Sequence, residues 1–403
     1  MFKIICKLQQ LTPMIHFQAE ESGACLRASE VKPKLDKFIR NWKKDIPVEW
    51  YIRGEKAQET GVFALDYKLR FAATGTPEII SNKKDKNGKM QYNICRSYFG
   101  DEKAVMYRQP VQMTVVCFIP ELLECIKEYI EIFFVMHNFG TRQDKGFGSF
   151  VLSEIDGRTT GWEDKDYPDM VKDFVPYGLW YKYGKVEYAK KTVLEDIRMI
   201  YGLMKSGWNF TKIRMYPDDY FKGFIFRYFI EKNPEIMNDK KFIKTKLDFS
   251  NQKMNCSTIV SENVESADNK KACFYRALLG LPGYYEYKDK ERAGKVYVKS
   301  KEEIYRFHSP LLWTLAGRYM LAIPQLEGFE AILNKEFEFT SPINTALTAT
   351  PDSFDFEDFL NNFCEDFNDK VTPKGGKIGL KDAKYNGLIN IKNIRLKMFK
   401  DVK

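Results

Sequence analysis

A glycine-rich segment at residues 138–150 combines the residue types that bind anions. Its sequence, NFGTRQDKGFGSF, places three glycines beside Arg142 and Lys145. Glycine adopts positive φ readily and lets a bulky partner approach the main chain closely. Successive backbone N–H groups in such a turn form a concave anion site, and the two cations add charge-assisted contacts. This segment, called the glycine loop below, therefore suits a phosphodiester backbone or a nucleotide.

Two common nucleotide-binding motifs do not fit the glycine loop. The dinucleotide fingerprint has a strand before its glycines and a helix after them, whereas here a predicted helix comes first. A Walker A loop requires a GK[ST] sequence, which the glycine loop lacks. Three alternatives remain: contacts to RNA phosphates, a mononucleotide site, and a tight structural turn with incidental cations. The residues predicted to contact phosphates are Gly140, Arg142, Lys145, Gly146 and Gly148.

Three further cations, Arg27, Lys32 and Lys34, lie at the predicted start of the first helix. Helix N–H groups and the helix dipole favour an anion at such a position. The alternative is that these side chains are solvated beside a turn. If they bind, they would form one positive groove with the glycine loop, and contacts to phosphates would hold RNA without reading its bases.

The histidines offer a catalytic alternative. His16 follows the first predicted strand and could act as the general base of a metal-independent ribonuclease, although it could equally pack at a strand end. With three scattered histidines and no nearby carboxylate–cysteine set, the sequence predicts no metal and no other cofactor. A second binding candidate is a group of aromatics and lysines that could stack unpaired bases or pack a domain junction. That group comprises Tyr177, Trp180, Tyr181, Lys182, Tyr183 and Lys185.

Composition and charge describe an ordinary globular protein. The 403 residues favour two or three domains, and the net charge of +9 is compatible with a polyanionic partner. Residues 370–403 carry ten basic and two acidic residues, while residues 352–369 carry seven acidic ones, so the two segments could neutralise each other. Eight cysteines without a CxxC pair predict buried, reduced thiols and a cytoplasmic location. No signal peptide and no membrane span are predicted.

Hydrophobic periodicity predicts the order β-α-β-β-α-β for the first 155 residues. Strands are predicted at residues 2–11, 62–72, 111–118 and 149–153, with helices beginning near Pro33 and at Pro120. A hairpin with its tip at residues 82–88 and its return arm at residues 90–98 is inserted between the middle strands. This order is the ferredoxin-like (RRM-like) plan, an α+β fold in which two helices cover one face of an antiparallel sheet.

The remainder of the chain predicts a linker at residues 156–185 and a second domain at residues 186–350 with helical insertions. An acidic helix at residues 354–367 and a basic tail make up a C-terminal segment, residues 351–403. Within the second domain, residues 295–299, 303–308 and 311–324 are predicted strands, with a turn at Ser309-Pro310.

Five sequence patches resemble the RAMP superfamily of CRISPR effector complexes. Residues 11–14 (LTPM) resemble the turn "LTP" that ends the family's first strand, and residues 26–35 (LRASEVKPKL) resemble the pattern at its first helix. Residues 140–150 resemble its glycine-rich loop, "G-x-R-x-x-x-G-F-G-S". Residues 274–281 (FYRALLGL) and 306–311 (RFHSPL) resemble two later elements. The chain is most similar to the large, two-domain capping subunit of the type III-B (Cmr) module.

The resemblance implies a ferredoxin-like RAMP domain with an inserted hairpin, followed by a second, degenerate RAMP-like domain. It implies a role in antiviral defence as a subunit that binds guide RNA or the guide–target duplex and contacts other RAMP subunits. Two positions depart from the family pattern: Pro33 replaces a glycine, and Asp36 replaces an arginine, where a carboxylate would repel phosphate. The acidic catalytic loop of the target-cutting RAMP subunit has no recognisable counterpart near residues 14–26.

The function predicted from the sequence is therefore RNA binding without catalysis. One alternative is a metal-independent endoribonuclease that processes precursor guide RNA and uses His16. The other is a scaffold protein of a defence complex that binds no RNA.

Overall fold

The computed structural model describes residues 1–15, 25–73, 75–80, 83–84, 90–91, 103–209, 220–247, 272–288, 293–300, 307–341, 345–370 and 391–402. The chain divides into two compact units. Unit 1 comprises Met1–Arg198, Leu312–Ile323 and Ile394–Lys403, and unit 2 comprises Met199–Leu311 and Pro324–Asn393.

Helices and strands follow one another along the chain in both units. The first part of the chain contains β1 (Phe2–Gln10), β2 (Met14–Ile15), α1 (Ala28–Trp42), α2 (Lys56–Thr60), β3 (Tyr67–Ala73), β4 (Glu78–Ile80), β5 (Lys83–Lys84), β6 (Met90–Gln91), β7 (Ala104–Met106), β8 (Val111–Cys117), α3 (Pro120–Val135), β9 (Phe150–Ile155), β10 (Arg158–Thr159), α4 (Tyr167–Lys172), β11 (Leu179–Lys182) and α5 (Val186–Lys205). The second part contains β12 (Gly207–Asn209), β13 (Tyr220–Lys222), α6 (Phe224–Lys232), β14 (Met237–Asn238), α7 (Asp239–Lys246), β15 (Ala272–Cys273), β16 (Tyr284–Lys288), β17 (Ala293–Ser300), β18 (Leu311–Ala316), β19 (Tyr319–Pro324), β20 (Glu336–Thr340), β21 (Thr345–Ala349), α8 (Phe356–Lys370) and β22 (Lys397–Met398).

The main sheet of unit 1 has the strand order β10-β9-β1-β8-β3, and its strand pairs are antiparallel. Alternate residues of β1, including Ile4, Cys6 and Leu8, are buried, as the period of two predicts. Helices α1 and α3 contact each other, and α3 also packs on β1, β8 and β9. The order β1-α1-β3-β8-α3-β9 agrees with the predicted β-α-β-β-α-β succession, and the predicted α+β class is confirmed.

The insertion between β3 and β8 contains the predicted hairpin. Strands β5 and β6 pair antiparallel, with Lys84 opposite Met90. Residues 85–89, which include most of the predicted tip, lie outside the described residues, as does most of the return arm. Strand β7 pairs with both β4 and β2, which ties the insertion to the turn that follows β1.

Helix α1 begins earlier than the sequence predicted. Its first residue is Ala28, and Pro33 lies inside the helix instead of at its first position. Arg27 precedes the helix with extended backbone, and the amides of Glu30 and Val31 donate to its carbonyl oxygen. Proline lacks the N–H group that an interior helix position uses, so Pro33 removes one helical hydrogen bond from α1. Pro120 opens α3, as predicted.

The segment predicted as a linker, residues 156–185, is an ordered part of unit 1. It contains β10, α4 and β11, and β11 lies between β19 and β22 in a sheet of order β18-β19-β11-β22. Leu179 pairs with Ala322 on one side and with Met398 on the other. The predicted boundaries assigned residues 312–323 and the C-terminal residues to other parts of the chain, and pairing with β11 brings both segments into unit 1. Residues 311–324, predicted as one strand, form two strands that turn at Gly317.

Unit 2 contains a sheet of order β14-β15-β21-β20-β17-β16. Its first three strands run parallel and the others pair antiparallel. The predicted acidic helix corresponds to α8, which packs on α6. Its carboxylates pair there: Asp366 with Arg227, and Asp358 with Lys232 at 2.7 Å. Two acids of α8 are thus paired within unit 2, while residues 371–390 of the basic tail lie outside the described residues.

Two expectations about cysteines and membranes can be compared with the described residues. The six cysteines among them, at positions 6, 25, 117, 125, 273 and 364, are buried free thiols. Within the described ranges, no helix is both long and apolar enough to span a bilayer.

Candidate nucleic-acid interface

The LTP turn holds the glycine loop in place. The hydroxyl of Thr12 donates to the carbonyl oxygen of Gly146 at 2.7 Å and accepts from the amide of Ser149 at 2.8 Å. The amide of Gly148 donates to the carbonyl oxygen of Pro13 at 2.9 Å. Two motifs that are far apart in the sequence therefore form one hydrogen-bonded structure at the end of β1.

The buried side chain of Asn138 holds the glycine loop through hydrogen bonds. The side-chain amide of Asn138 donates to the carbonyl oxygens of Gln143 at 2.6 Å and Trp313 at 2.7 Å. The hydroxyl of Thr314 donates to the Asn138 amide oxygen at 2.9 Å. Asn138 and Thr314 are buried, so these bonds satisfy polar atoms that water does not reach. Sequence reasoning missed this support, because 176 residues separate Thr314 from Asn138.

All three glycines are required by close packing, since Gly140 has φ of +84° and a Cβ atom there would lie 2.6 Å from the carbonyl oxygen of Ile15. Gly146 and Gly148 have φ of +86° and +74°, a region that other residues rarely adopt. A Cβ atom at Gly148 would lie 1.9 Å from the carbonyl oxygen of Phe139, and one at Gly146 would lie 2.6 Å from the Ile197 side chain. Both glycines are buried, so they set the shape of the loop.

The backbone amides of the glycines donate hydrogen bonds within the protein. Gly140 donates to a carboxylate oxygen of Glu30 at 2.8 Å. Gly146 donates to the carbonyl oxygen of Gln143 at 3.3 Å, and the Gly148 amide is bonded to Pro13. The predicted cradle of N–H groups is therefore occupied by internal acceptors at these three positions. Anion binding at this loop would depend on the side chains of its cations.

Lys34 joins the start of α1 to the glycine loop. Its ammonium group donates to the carbonyl oxygen of Asn138 at 3.0 Å and to the side-chain oxygen of Gln143 at 2.7 Å. Glu30 lies 3.4 Å away, and the Phe139 ring centroid 4.8 Å away. Burial lowers the pKa of Lys34, and the Glu30 carboxylate opposes this shift. Of the three cations predicted at the start of α1, Lys34 therefore contacts the glycine loop.

Lys32 faces a different part of unit 1. Its ammonium group lies 2.8 Å from Asp36, 2.7 Å from the carbonyl oxygen of Leu65 and 4.1 Å above the Tyr67 ring. Asp36, which replaces the family arginine, is buried and also accepts from the Leu65 amide at 3.3 Å. Burial and the Asp36 carboxylate raise the pKa of Tyr67 well above its usual value. Lys32 and Asp36 thus fix the chain just before β3.

Both cations of the loop itself are partly buried. Lys145 pairs with its neighbour Asp144 at 3.0 Å, with 15% of its side chain exposed. Arg142 is half-buried and has φ of +58°, in the left-handed region that is uncommon for a residue with a side chain. Arg27 is also half-buried. Thr141, next to Arg142, is exposed, so residues 140–142 form the outer edge of the loop.

The described histidine nearest the loop is structural. The Nδ1 atom of His137 donates to the carbonyl oxygen of Phe133 at 3.0 Å, and its ring packs against Phe133 and Phe38. Burial lowers the pKa of His137 to about 4, so the imidazole is neutral at physiological pH. His16, the candidate general base, lies outside the described residues. Among the residues that are described, no group of three or more side chains could ligate a metal ion.

The second group of aromatics packs within unit 1. Tyr183 is buried and its hydroxyl donates to Asp196 at 2.8 Å, while the indole N–H of Trp180 donates to the carbonyl oxygen of Met398 at 2.9 Å. Lys182 lies 4.8 Å from the Tyr319 ring centroid. Burial raises the pKa of Asp196 to about 6, and the Tyr183 hydroxyl opposes that shift. These contacts agree with the packing alternative for Trp180 and Tyr183.

The fold and the glycine loop define a RAMP-type protein, as the resemblance predicted. Family models of the Cmr1 N-terminal domain and the Cmr1 C-terminal domain match residues 1–208 and 220–388, respectively. The chain therefore belongs to the Cmr1 family of type III-B CRISPR modules.

Comparison with solved structures gives distant similarities. The crystal structure of Cmr1 from Pyrococcus furiosus in its apo form has 10% sequence identity and a TM-score of 0.37, with 99% of each chain covered. A chain of the cryo-EM structure of the Type III-B Cmr-beta bound to cognate target RNA has 11% identity and a TM-score of 0.26 over 39% of this chain. The protein spans 60% of the length of that second chain. Comparison with curated protein sequences gave no significant match.

Proposed function

We propose that this protein is an RNA-binding subunit of a cytoplasmic type III CRISPR ribonucleoprotein. It grips guide RNA, or the end of the guide–target duplex, through backbone phosphates and contacts other RAMP subunits. Membership of the Cmr1 family supports this role. The observation that carries the proposed site is the contact of Lys34 with Asn138 and Gln143, which joins the basic start of α1 to the glycine loop. Base pairing supplies the sequence specificity, and the protein holds the backbone.

The grip depends on the side chains of the loop cations. The amides of Gly140, Gly146 and Gly148 are used internally, so the glycines shape the site. Arg142 then supplies charge to phosphate oxygens at the outer edge of the loop, and Lys145, three residues later, supplies a second charge. Lys145 and Asp144 have 15% and 25% of their side chains exposed, so a phosphate that binds the lysine has to replace a largely buried ion pair.

The salt dependence of RNA binding tests this proposal. In the double variant Arg142→Gln/Lys145→Gln, the slope of log K against log salt should decrease by up to about 1.4–1.8, at about 0.7–0.9 per phosphate contact. The control is Lys44→Gln/Lys56→Gln, which removes the same charge at two exposed lysines. A slope equal to that of the control would contradict the assignment.

The identity of the bound RNA requires a separate experiment. The protein should be purified from its native host with its complex, and the RNA that co-purifies should be sequenced. Recovery of guide sequences supports the proposed ligand. An ultraviolet absorbance ratio equal to that of pure protein would instead favour the scaffold alternative.

A further inference from the structure

The main sheet of unit 1 has one open face that carries basic side chains. Helices cover the face that holds Ile4, Cys6 and Leu8, and the alternate residues of the same strands point to the opposite side. In the antiparallel register, Val116 lies opposite Lys3 on one neighbouring strand and opposite Lys68 on the other. Thr114 lies opposite Arg70. Lys3, Lys68 and Arg70 therefore share the open face, and all three are exposed.

Among the described residues, these three cations differ from Lys7 in their pairing. Within the part of the chain that the structure describes, Lys3, Lys68 and Arg70 make no side-chain hydrogen bond or ion pair. Lys7, on the same face, differs because Glu154 lies 2.8 Å from its ammonium group. Strand spacing places the Cα atoms of Lys3 and Lys68 about 10 Å apart and those of Lys68 and Arg70 about 7 Å apart. A cluster of this kind attracts a polyanion.

The other residues of the face favour a nucleic acid backbone over a protein partner. Between the cations lie half-buried side chains, the polar Gln112 and Thr114 and the apolar Ile5 and Val116. Protein interfaces usually centre on aromatic or arginine anchors in desolvated pockets, and their cores are depleted in lysine. Within the ranges of β1, β3 and β8 this face carries no aromatic, and the exposed Phe118 follows the end of β8. Exposed cations beside short polar groups match contacts to phosphate and sugar, which do not depend on base sequence.

We propose that the open face is a second surface for the RNA backbone, formed by Lys3, Lys68 and Arg70. This inference depends on the proposed function, that the protein binds RNA. The two surfaces are distinct, because Lys3 lies near the start of β1 and the glycine loop contacts the residues that follow its end. The seven residue-to-residue steps of extended strand from Lys3 to Gln10 span about 23 Å. One RNA strand that contacts both surfaces would lie along the sheet.

The test combines three variants with fluorescent single-stranded oligouridine as the probe. In the sheet variant Lys3→Gln/Lys68→Gln/Arg70→Gln, the salt slope should decrease by about 2, since each phosphate contact on a single strand contributes about 0.7. The matched control, Lys44→Gln/Arg53→Gln/Lys56→Gln, removes three exposed charges elsewhere in the chain. The third is the loop variant Arg142→Gln/Lys145→Gln. Circular dichroism melting curves show that each variant folds.

A second measurement locates the RNA directly. Amine acetylation followed by mass spectrometry should show that oligouridine protects Lys3 and Lys68, while Lys44 and Lys56 are modified equally with and without RNA. One result would contradict the second surface alone: the salt slope decreases in the loop variant, the slope of the sheet variant equals that of its control, and RNA does not protect Lys3 and Lys68. The proposed function would then still hold. If the wild-type protein does not bind oligouridine at all, both proposals fail.

Discussion

The hydroxyl of Thr12 lies 2.7 Å from the carbonyl oxygen of Gly146, and the same oxygen atom of Thr12 accepts from the amide of Ser149. One side chain at the end of β1 therefore binds two points of the glycine loop. Thr12 and Ser149 are both fully buried. Buried polar groups are costly to leave without partners, so the LTP turn and the glycine loop are expected to unfold together.

Replacement of Thr12 by valine should destabilise the protein. Valine has nearly the same shape but leaves the Ser149 amide without an acceptor, at about 1–3 kcal/mol, while the Gly146 carbonyl oxygen keeps a hydrogen bond from the Ser149 hydroxyl at 3.3 Å. Thr12→Ser keeps the hydroxyl and should cost much less. Urea denaturation of the wild type and both variants measures the difference. Equal stabilities for the valine and serine variants would show that the hydroxyl contributes nothing.

Gly148→Ala should prevent normal folding, whereas Gly161→Ala should be tolerated. Both glycines have positive φ, so each alanine carries a backbone penalty of about 1–2 kcal/mol. A Cβ atom at Gly148 would also lie 1.9 Å from the Phe139 carbonyl oxygen. A Cβ atom at Gly161 would have no neighbouring atom within 4 Å. A total loss above about 4 kcal/mol is therefore expected at Gly148. Soluble yield and urea denaturation separate the two variants, and similar behaviour would contradict the packing argument.

The sequence predicted local features of the fold well. Strict alternation in β1 and the proline that opens α3 are signals contained within a few residues, and both elements form as expected. The pairing of Leu179 with Ala322 and Met398 has no such signal, because long stretches of chain separate the partners. The mistaken linker at residues 156–185 follows from this limit, since its strand is stabilised by distant partners.

At the candidate site, too, contacts between distant residues could not be predicted from the sequence, whereas one local contact could have been. Composition and spacing identified the loop glycines, but the internal use of the Gly140 amide depends on Glu30, more than a hundred residues earlier. The pairing of Lys32 with Asp36 could have been found from the sequence. These residues are four positions apart on a helix, the spacing at which opposite charges meet. The carboxylate of Asp36, at a position where the family has arginine, is therefore explained by its ion pair with Lys32 and not by a contact to phosphate.

The neutral state of His137 predicts a loss of stability in acid. Burial lowers its pKa from 6.5 to about 4, so the unfolded chain takes up a proton before the folded protein does. The contribution is fully present above pH 6.5 and is lost as the pH falls towards 4, by about 3 kcal/mol in total. The His137→Gln variant cannot take up that proton. Its stability relative to the wild type should therefore increase as the pH falls from 6.5 towards 4. Urea denaturation at several pH values checks this, and a constant difference would contradict it.

Asp196 predicts the opposite dependence. Burial raises its pKa from 3.8 to about 6, so the folded protein binds a proton more readily than the unfolded chain. The contribution of Asp196 to the free energy of unfolding is fully present below pH 3.8 and decreases by about 3 kcal/mol as the pH rises to 6. Asp196→Asn keeps an acceptor for Tyr183 and should be more stable than wild type above pH 6, with the advantage disappearing in acid. The pH ranges over which His137 and Asp196 change stability overlap, and the two changes have opposite signs. The contributions of these two groups should therefore largely cancel in the wild type, and each variant should show the contribution of the group that remains. An asparagine variant with the same advantage at every pH would exclude this account.

The binding role predicts that the protein does not cut RNA. Metal-independent cleavage needs a base that removes the 2′-hydroxyl proton, and it leaves a 2′,3′-cyclic phosphate. Among the described histidines, His137 is committed to the Phe133 carbonyl oxygen and lies within an aromatic cluster. Incubation of the protein with repeat-containing precursor RNA in EDTA should therefore give no cyclic phosphate product, and His16→Ala should behave as the wild type does. Cleavage in EDTA that disappears in His16→Ala, with RNA affinity unchanged, would replace the binding role by the endoribonuclease alternative.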